Sequence, residues 1–337
     1  MSRCWFELDD KIFDSHPIVA RLIDLAVQRG ANCDALLRGT GIFYQDVQLN
    51  RTTLSYQQIS KLIANAEKQV TSQDLSFLLG RRLFPSNLGD IGLLLSNTRH
   101  LNNMLRMMQC FQILLFPYLQ THVERHEAHT YLILNPAIAE NDQLRFFIEL
   151  LCAAIHSACK WQLGEIVPLH FYFTFPRPRN IYQYEENLGF RLHFSQSLCM
   201  ISAPNEWLYK STPESSKLVR QQKRLHSQQL RNTQPFKCGL IQYVCERIRH
   251  APSASLEDIA EQMHISPATL KRKLKQHGTQ FQKLQDRVRM QSALFDLKIR
   301  GLGNKDVAQK LGFSDLANFR RAFKRWTGMT PKEVKQV

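Results

Sequence analysis

Long hydrophobic runs are missing from this sequence. No window of about 18 consecutive apolar residues occurs along its 337 positions, so no membrane-spanning helix is expected. The opening residues MSRCWFELDD have neither a basic start nor an apolar stretch, which argues against an export signal. Cysteine pairs at redox or metal-ligand spacing are missing too. The eight cysteines, at positions 4, 33, 110, 152, 159, 199, 238 and 245, form no C-x-x-C motif and lie mostly within apolar segments, so they read as reduced thiols in a cytoplasmic protein. No GxSxG, P-loop, HExxH or Rossmann glycine pattern is present, and no enzyme class is suggested. A metal sensor would have to draw on HVERHEAH, with His122, His126 and His129. Helical spacing would put His122 and His126 on one face, but the segment leads into the strand-like YLILNP and reads as a hairpin. In a strand His122, Glu124 and His126 share a face that is equally well solvated, so no metal or cofactor is expected.

Acidic residues are scarce in one region only. Residues 1–214 hold 19 basic and 20 acidic side chains, whereas residues 215–337 hold 25 and 9, so the whole net charge of +15 arises in the last third. That asymmetry is the footprint of a polyanion-binding module attached to an electrically ordinary one. The apolar fraction of 44% suffices for the cores of two or three domains.

Residues 1–214 read as α+β. SHPIVARLIDLAVQRG places Ile18, Leu22, Leu25 and Ala26 on one helical face and stops at Gly30, and SYQQISKLIANAEKQV is a second amphipathic helix that Ser55 can cap. LGDIGLLLSNTRHLNNMLRMMQCFQILL gives an apolar run, a polar break and another helix. DQLRFFIELLCAAIHSACKW is apolar nearly all round, as befits either the middle of a domain or a subunit interface. The strand candidates are YLILNP, LHFYFTF and FRLHFSQSLCMIS. Residues 215–235 are polar, Gln-rich and basic, and read as a helix running into a linker that ends at Pro235. Residues 236–337 show helical patterns and no strand, beginning with one helix over Phe236 to Arg249.

Within this helical region a pair of stretches repeats. EDIAEQMHISPATLKRKLKQHG and KDVAQKLGFSDLANFRRAFKRWTG match at Asp258 and Asp306, Ile259 and Val307, Ala260 and Ala308, Met263 and Leu311, Ile265 and Phe313, and Ser266 and Ser314. One added residue in the second copy then aligns Leu270 and Leu274 with Phe319 and Phe323. Each copy reads as helix, tight turn, helix: the first over about 255–277, the second over about 304–327. Ser255 with Asp258 has capping-box spacing, Ser266–Pro267 is an N-cap followed by proline, Gly312 ends a helix, Ser314 can cap the next, and Thr330, Pro331 and Glu333 begin a last one. Residues 281–299 predict a connector of about 28 Å at 1.5 Å per residue. Its two apolar stripes are Phe281, Leu284, Val288, Phe295 and Ile299, and Met290, Leu294 and Leu297. Major grooves on one face of B-DNA recur at about 34 Å, so such a connector could set two second helices into adjacent grooves.

DIAEQMHISPATLKRKLK and DVAQKLGFSDLANFRRAFKRWTGMTP together resemble the C-terminal DNA-binding domain of AraC/XylS-family transcription regulators. ALLRGTGI and LGDIGLLLSNTRHLNNMLRMM resemble, more loosely, the arabinose-binding-type N-terminal domain of one branch of that family. The resemblance implies that the second helix of each unit enters the major groove. The base-facing positions are then Ala268, Lys271 and Arg272 in the first unit and Ala317, Asn318 and Arg321 in the second. Their chemistry agrees: Arg bonds guanine bidentately, Asn pairs with adenine, Ala meets a thymine methyl, and each good bidentate pair discriminates by about 1–3 kcal/mol. Lys273, Lys275, Arg320, Lys324 and Arg325 are assigned to phosphates, with the capping positions Ser266 and Ser314 adding helix-terminal amides. Ile259, Met263, Leu270, Leu274, Phe313, Phe319, Phe323 and Trp326 are expected in the core.

The family also implies a homodimer, contact with RNA polymerase, a small-molecule effector for the α+β domain, and activation. Effector-independent binding, with an N-terminal domain that only dimerises, is the alternative. Some DNA alkylation-repair enzymes carry the same kind of reader beside a zinc-bound cysteine cluster, which Cys4 and Cys33 alone cannot supply.

Overall fold

A helix that is apolar on every side has to be covered on every side. In the computed structural model, which describes residues 3–14, 16–49, 52–213 and 215–336, that helix is Leu144–Leu163, and 14 of its 20 residues are buried. Of the two roles open to it, it takes the core role. The chain forms two compact units: one of Met1–Ile138 with Asp142–Gly239, the other of Ala139–Asn141 with Leu240–Val337. Glu214, where the sequence divides by charge, lies outside the described residues.

In the first unit the central helix lies against Leu75–Leu83, and the two backbones meet at Gly80. A Cβ there would stand 2.3 Å from the Leu150 carbonyl oxygen and 2.9 Å from Ala153 Cβ. Nearer the start of the helix Phe147 packs with Tyr56 and Tyr118, the Tyr118 and Phe147 rings stacked at 4.3 Å. The helix Tyr56–Gln69 starts at the Ser55–Gln58 capping box and buries Ile59, Leu62 and Ile63. Arg21–Gln28 buries Leu22, Leu25 and Ala26 as its sequence spacing requires.

The five-stranded sheet runs in the order Leu119–Arg125, His129–Pro136, Met200–Pro204, His170–Tyr172, Leu192–His193. All pairs are antiparallel except the last, which is parallel. FRLHFSQSLCMIS thus yields two strands, and LHFYFTF only three strand residues. HVERHEAH enters the first hairpin, where His122 Nε2 lies 3.0 Å from Glu124 Oε1 on one face. Among the described residues no group of three or more His, Cys, Asp or Glu is placed to hold a metal ion, and no helix is long and apolar enough to cross a membrane. All eight cysteines are free, and five are buried.

Two expectations need correcting. Residues 215–235 form the expected helix, Lys217–Thr233 capped by Ser216, but it is fastened to the first unit rather than running free into a linker. Asp90 accepts from Lys223 Nζ at 2.9 Å and from His226, and Arg220 and Arg231 donate to the carbonyls of Asn97 and Cys110. Likewise Phe236 does not start a helix. Cys238–Gly239 forms a two-residue parallel pairing with Trp5–Phe6, and Gly239 fits where a Cβ would stand 2.3 Å from the Ala137 carbonyl oxygen, so the helix begins at Leu240. Two residues are too few for any periodicity to announce.

Candidate nucleic-acid interface

The second unit is helical throughout its described length from Leu240. Its first helix-turn-helix consists of Leu256–Gln262 and Pro267–Gln276. Ser255 and Asp258 close a reciprocal capping box, and Ser266 Oγ accepts the Thr269 amide at 3.1 Å, with Pro267 at the first helical position. The turn between them needs one left-handed residue, and His264 supplies it at φ 55°. In the second copy, Asn304–Lys310 and Leu316–Thr327, the corresponding residue is Gly312 at φ 76°. The same backbone is therefore built twice, once with the residue that adopts it freely and once with one that is strained there.

Ile259, Met263, Leu270, Leu274, Phe319 and Phe323 are buried, as expected, whereas Phe313 and Trp326 are half-buried, their rings 6.0 Å apart. Leucine and phenylalanine at i and i+4 anchor each recognition helix and turn its polar side outward. Ala268, Lys271, Arg272 and Lys275 are exposed on the first recognition helix and Lys273 is half-buried. On the second, Ala317, Arg320, Arg321, Lys324 and Arg325 are exposed and Asn318 half-buried. No carboxylate of a described residue lies within ion-pair distance of Lys271, Arg272, Arg320 or Lys324.

The connector differs from the sequence expectation at its end. Phe281–Leu294 is α-helical, but Phe295–Ile299 widens into a π-helical turn. Leu284, Val288 and Phe295 and, on the other stripe, Leu294 and Leu297 are buried. The wide turn carries Asp296 inward, where it is wholly buried and accepts from Arg300 Nη1 at 2.7 Å and from Lys310 Nζ at 2.9 and 2.8 Å. This carboxylate fastens the first helix of the second helix-turn-helix to the connector. At the other end Gln285 and Arg289 donate to the carbonyls of Ala254 and Pro252, ahead of the first helix-turn-helix. The rigid-body relation between the two readers is thus held by polar contacts that the apolar stripes did not disclose.

The second recognition helix carries its own network. Its N-cap is Asp315, not Ser314: Asp315 Oδ1 accepts the Asn318 amide at 2.7 Å. The extra residue of the second copy shifts the cap by one, and a carboxylate facing the helix amides is favoured by the helix dipole. Ser314 stays outside the helix, exposed, with its hydroxyl 3.5 Å from Asp315 Oδ2. Asn318 Nδ2 also donates to Asp315, and Arg321 Nη2 donates to Asn318 Oδ1 at 2.6 Å. Arg325 Nη2 spans both oxygens of Asp286 on the connector at 3.0 and 3.1 Å. A groove of about 470 Å³ opens between these elements, lined by Gln282, Asp286, Arg289, Asn318, Arg321 and Arg325 among others. Asn318 and Arg321 are thereby held side by side at its edge before any ligand arrives. Asp286, Asp296 and Asp315 escaped the sequence reading because the first two find their partners through the fold and the third stands beside a serine that offers the same cap; the spacing of Asp315 three before Asn318 was the available signal.

Comparison with known proteins agrees with this architecture. Residues 30–211 match the family described as the arabinose-binding domain of AraC transcription regulator, N-terminal, and residues 259–336 match a helix-turn-helix domain family. The chain is 26% identical over 320 residues to the ornithine utilization regulator of Pseudomonas aeruginosa, covering 94% of each chain. It is 37% identical over 82 residues to the HTH-type transcriptional regulator GadX of Escherichia coli O6:H1, covering 24% of this chain and 30% of that protein. Among solved structures, that of the transcriptional regulator CdpR from Pseudomonas aeruginosa matches at 21% identity and a TM-score of 0.39, over 78% of this chain and 86% of that one.

Proposed function

Because this chain belongs to the AraC family of transcription regulators and is a DNA-binding protein, we propose that it activates transcription by docking both recognition helices in the major groove of an operator, under control of a small molecule. The carrying observation is the pair of helix-turn-helix units whose exposed basic faces sit in the stretch of chain that holds its charge excess. Lys271, Arg272 and Arg321 are the direct readers, with Asn318 beside Arg321 and the Ala268 and Ala317 methyls against the bases. Lys275, Arg320 and Lys324 hold phosphates, with Lys273 and the Ser266 amide end in support. Arg325 is mainly a clamp onto Asp286, so its phosphate role is reduced, and the Asp315 carboxylate makes the Ser314 end a poor anion site.

Readout by the second helix exchanges bonds rather than creating them, because Arg321 must release Asn318 to grip a guanine. A wrong base leaves that exchange uncompensated, which sharpens discrimination. The protein works as a cytoplasmic homodimer touching RNA polymerase, and has no catalytic role. Its likeness along nearly the whole chain to a regulator of ornithine use supports an amino acid as the effector. The test is a gel-shift series on operator DNA selected from genomic fragments, with and without effector, across salt. If on the order of 6 phosphates are neutralised per monomer, the log–log salt slope is near −5. A slope near zero, or no selected site, would refute groove docking.

A further inference from the structure

Five charged side chains of the first unit have no role in the reading above, and they meet in one cavity. It measures about 440 Å³ and is lined by Glu67 from Tyr56–Gln69, Ser76 from Leu75–Leu83, Asp142, Arg145 and Glu149 at the start of the central helix, and Arg179 just before Ile181–Leu188. This lies within the range of small-molecule sites, which run from about 300 to 1,000 Å³.

Its floor is pre-organised. Glu149, 7% exposed, accepts from Arg145 Nε at 2.8 Å, from Ser76 Oγ at 2.6 Å and from the Tyr184 hydroxyl. Arg145 also donates to the Tyr184 hydroxyl and lies over the Phe175 ring at 4.9 Å, so it is fixed in direction. Burial first, and then the Glu149 carboxylate, drive the Tyr184 phenol far above its ordinary range. Arg145 and Glu149 therefore cancel one another. What remains uncompensated on the walls is two carboxylates, Glu67 and Asp142, and one guanidinium, Arg179. Glu67 registers the imbalance: crowding by the protein first, then Glu149, push its carboxyl up to about 7, Asp142 adding to the rise and Arg145 opposing it. A site that holds a carboxylate at such a value favours a cation beside it.

We propose that this cavity is the effector site, and that the effector is a small amino acid carrying a second ammonium group. The complement of two carboxylates and one guanidinium is two cations and one anion. The α-carboxylate meets Arg179 and the two ammonium groups meet Glu67 and Asp142, with Val70, Leu75 and Phe146 covering the methylene chain between them. The inference rests on the ligand-responsive reading above and assigns to it a place and a chemistry.

Calorimetric titration of the full-length protein tests it with L-ornithine and L-lysine, against L-norvaline, which lacks the second amine, and cadaverine, which lacks the carboxylate. The diamino acids bind, and norvaline and cadaverine bind at least about tenfold more weakly, since each forfeits a charge-assisted contact. Glu67→Gln, Asp142→Asn and Arg179→Ala each weaken L-ornithine or L-lysine by about tenfold while circular dichroism is unchanged; three separate variants keep the test alive if one misfolds. At pH 7 binding releases about half a proton, read by repeating the titration in buffers of different ionisation enthalpy. Unchanged affinity in all three variants overturns the assignment. So does a thermal-shift screen of the same protein that finds a ligand of other chemistry, which leaves ligand response standing. No shift by any metabolite overturns both.

Discussion

Asp296→Ala should destabilise the second reader without displacing it in the folded protein. Asp296 has no exposure at all, and both Arg300 and Lys310 donate to it, Lys310 to both carboxylate oxygens. Hydrogen bonds to a charged group contribute about 1.5–3 kcal/mol net, bonds that share one carboxylate do not simply add, and deleting their acceptor costs more where the donors cannot return to water. Here that return is easy, because the Arg300 and Lys310 side chains are 43% and 51% exposed. The net cost is therefore about 2–3 kcal/mol, below the roughly 3–5 kcal/mol seen when the stranded charge is itself buried. For a domain of this size 1 kcal/mol moves the midpoint by about 4–8 °C, so the thermal transition of the reader unit should fall by roughly 10–20 °C. Lys310→Met should lower it by less, since Arg300 remains. Calorimetry of the full chain resolves the transition, and operator affinity measured well below it should be close to that of the parent. A variant that melts with the parent, or one that melts normally yet fails to bind DNA, would refute the clamp.

Three further outcomes follow from single sites. Gly80→Ala forces a methyl against the Leu150 carbonyl and Ala153, so the two helices must separate; a loss of about 1–3 kcal/mol in denaturant titration is expected, and no loss would show the crossing to be loose. Gly312→Ala should cost about 1 kcal/mol through its left-handed turn, whereas His264→Gly, at the matching turn, should be neutral or stabilising; the reverse order would deny the equivalence of the turns. Glu67 has its carboxyl raised to about 7 from 4.5, so the fold favours its protonated form and loses that contribution as pH rises towards and through 7. Glu67→Gln removes the ionisation, so its melting temperature relative to the parent should climb between pH 5 and pH 8; a constant difference would mean that the carboxyl is ordinary.

The architecture of the second unit was legible because its two copies check one another: the offset repeat, the Ser255 and Ser266 caps of the first copy and the Gly312 helix end of the second all mark the same helix-turn-helix plan. In the first unit the helices were legible from their apolar stripes, and the sheet only in outline, since short strands such as Leu192–His193 leave no alternation to read. Polar long-range contacts were the hidden component. Nothing in the sequence pairs Asp90 with Lys223 and His226, so the basic segment read as a helix but its docking to the first unit did not show. Nor does any spacing join Glu67, Asp142 and Arg179, which come from three separate segments and share only a cavity. Asp315 was legible in principle, but the serine repeated at offset 48 concealed it.

The central claim is that the two recognition helices read bases, and the most direct measurement is the affinity of point variants for operator and for random DNA at one salt concentration. Lys271→Ala and Arg321→Ala should each lose about 1–3 kcal/mol of operator binding and little on random DNA, while Lys324→Ala should weaken both alike. Equal losses on both DNAs for all three variants would contradict base reading by these helices.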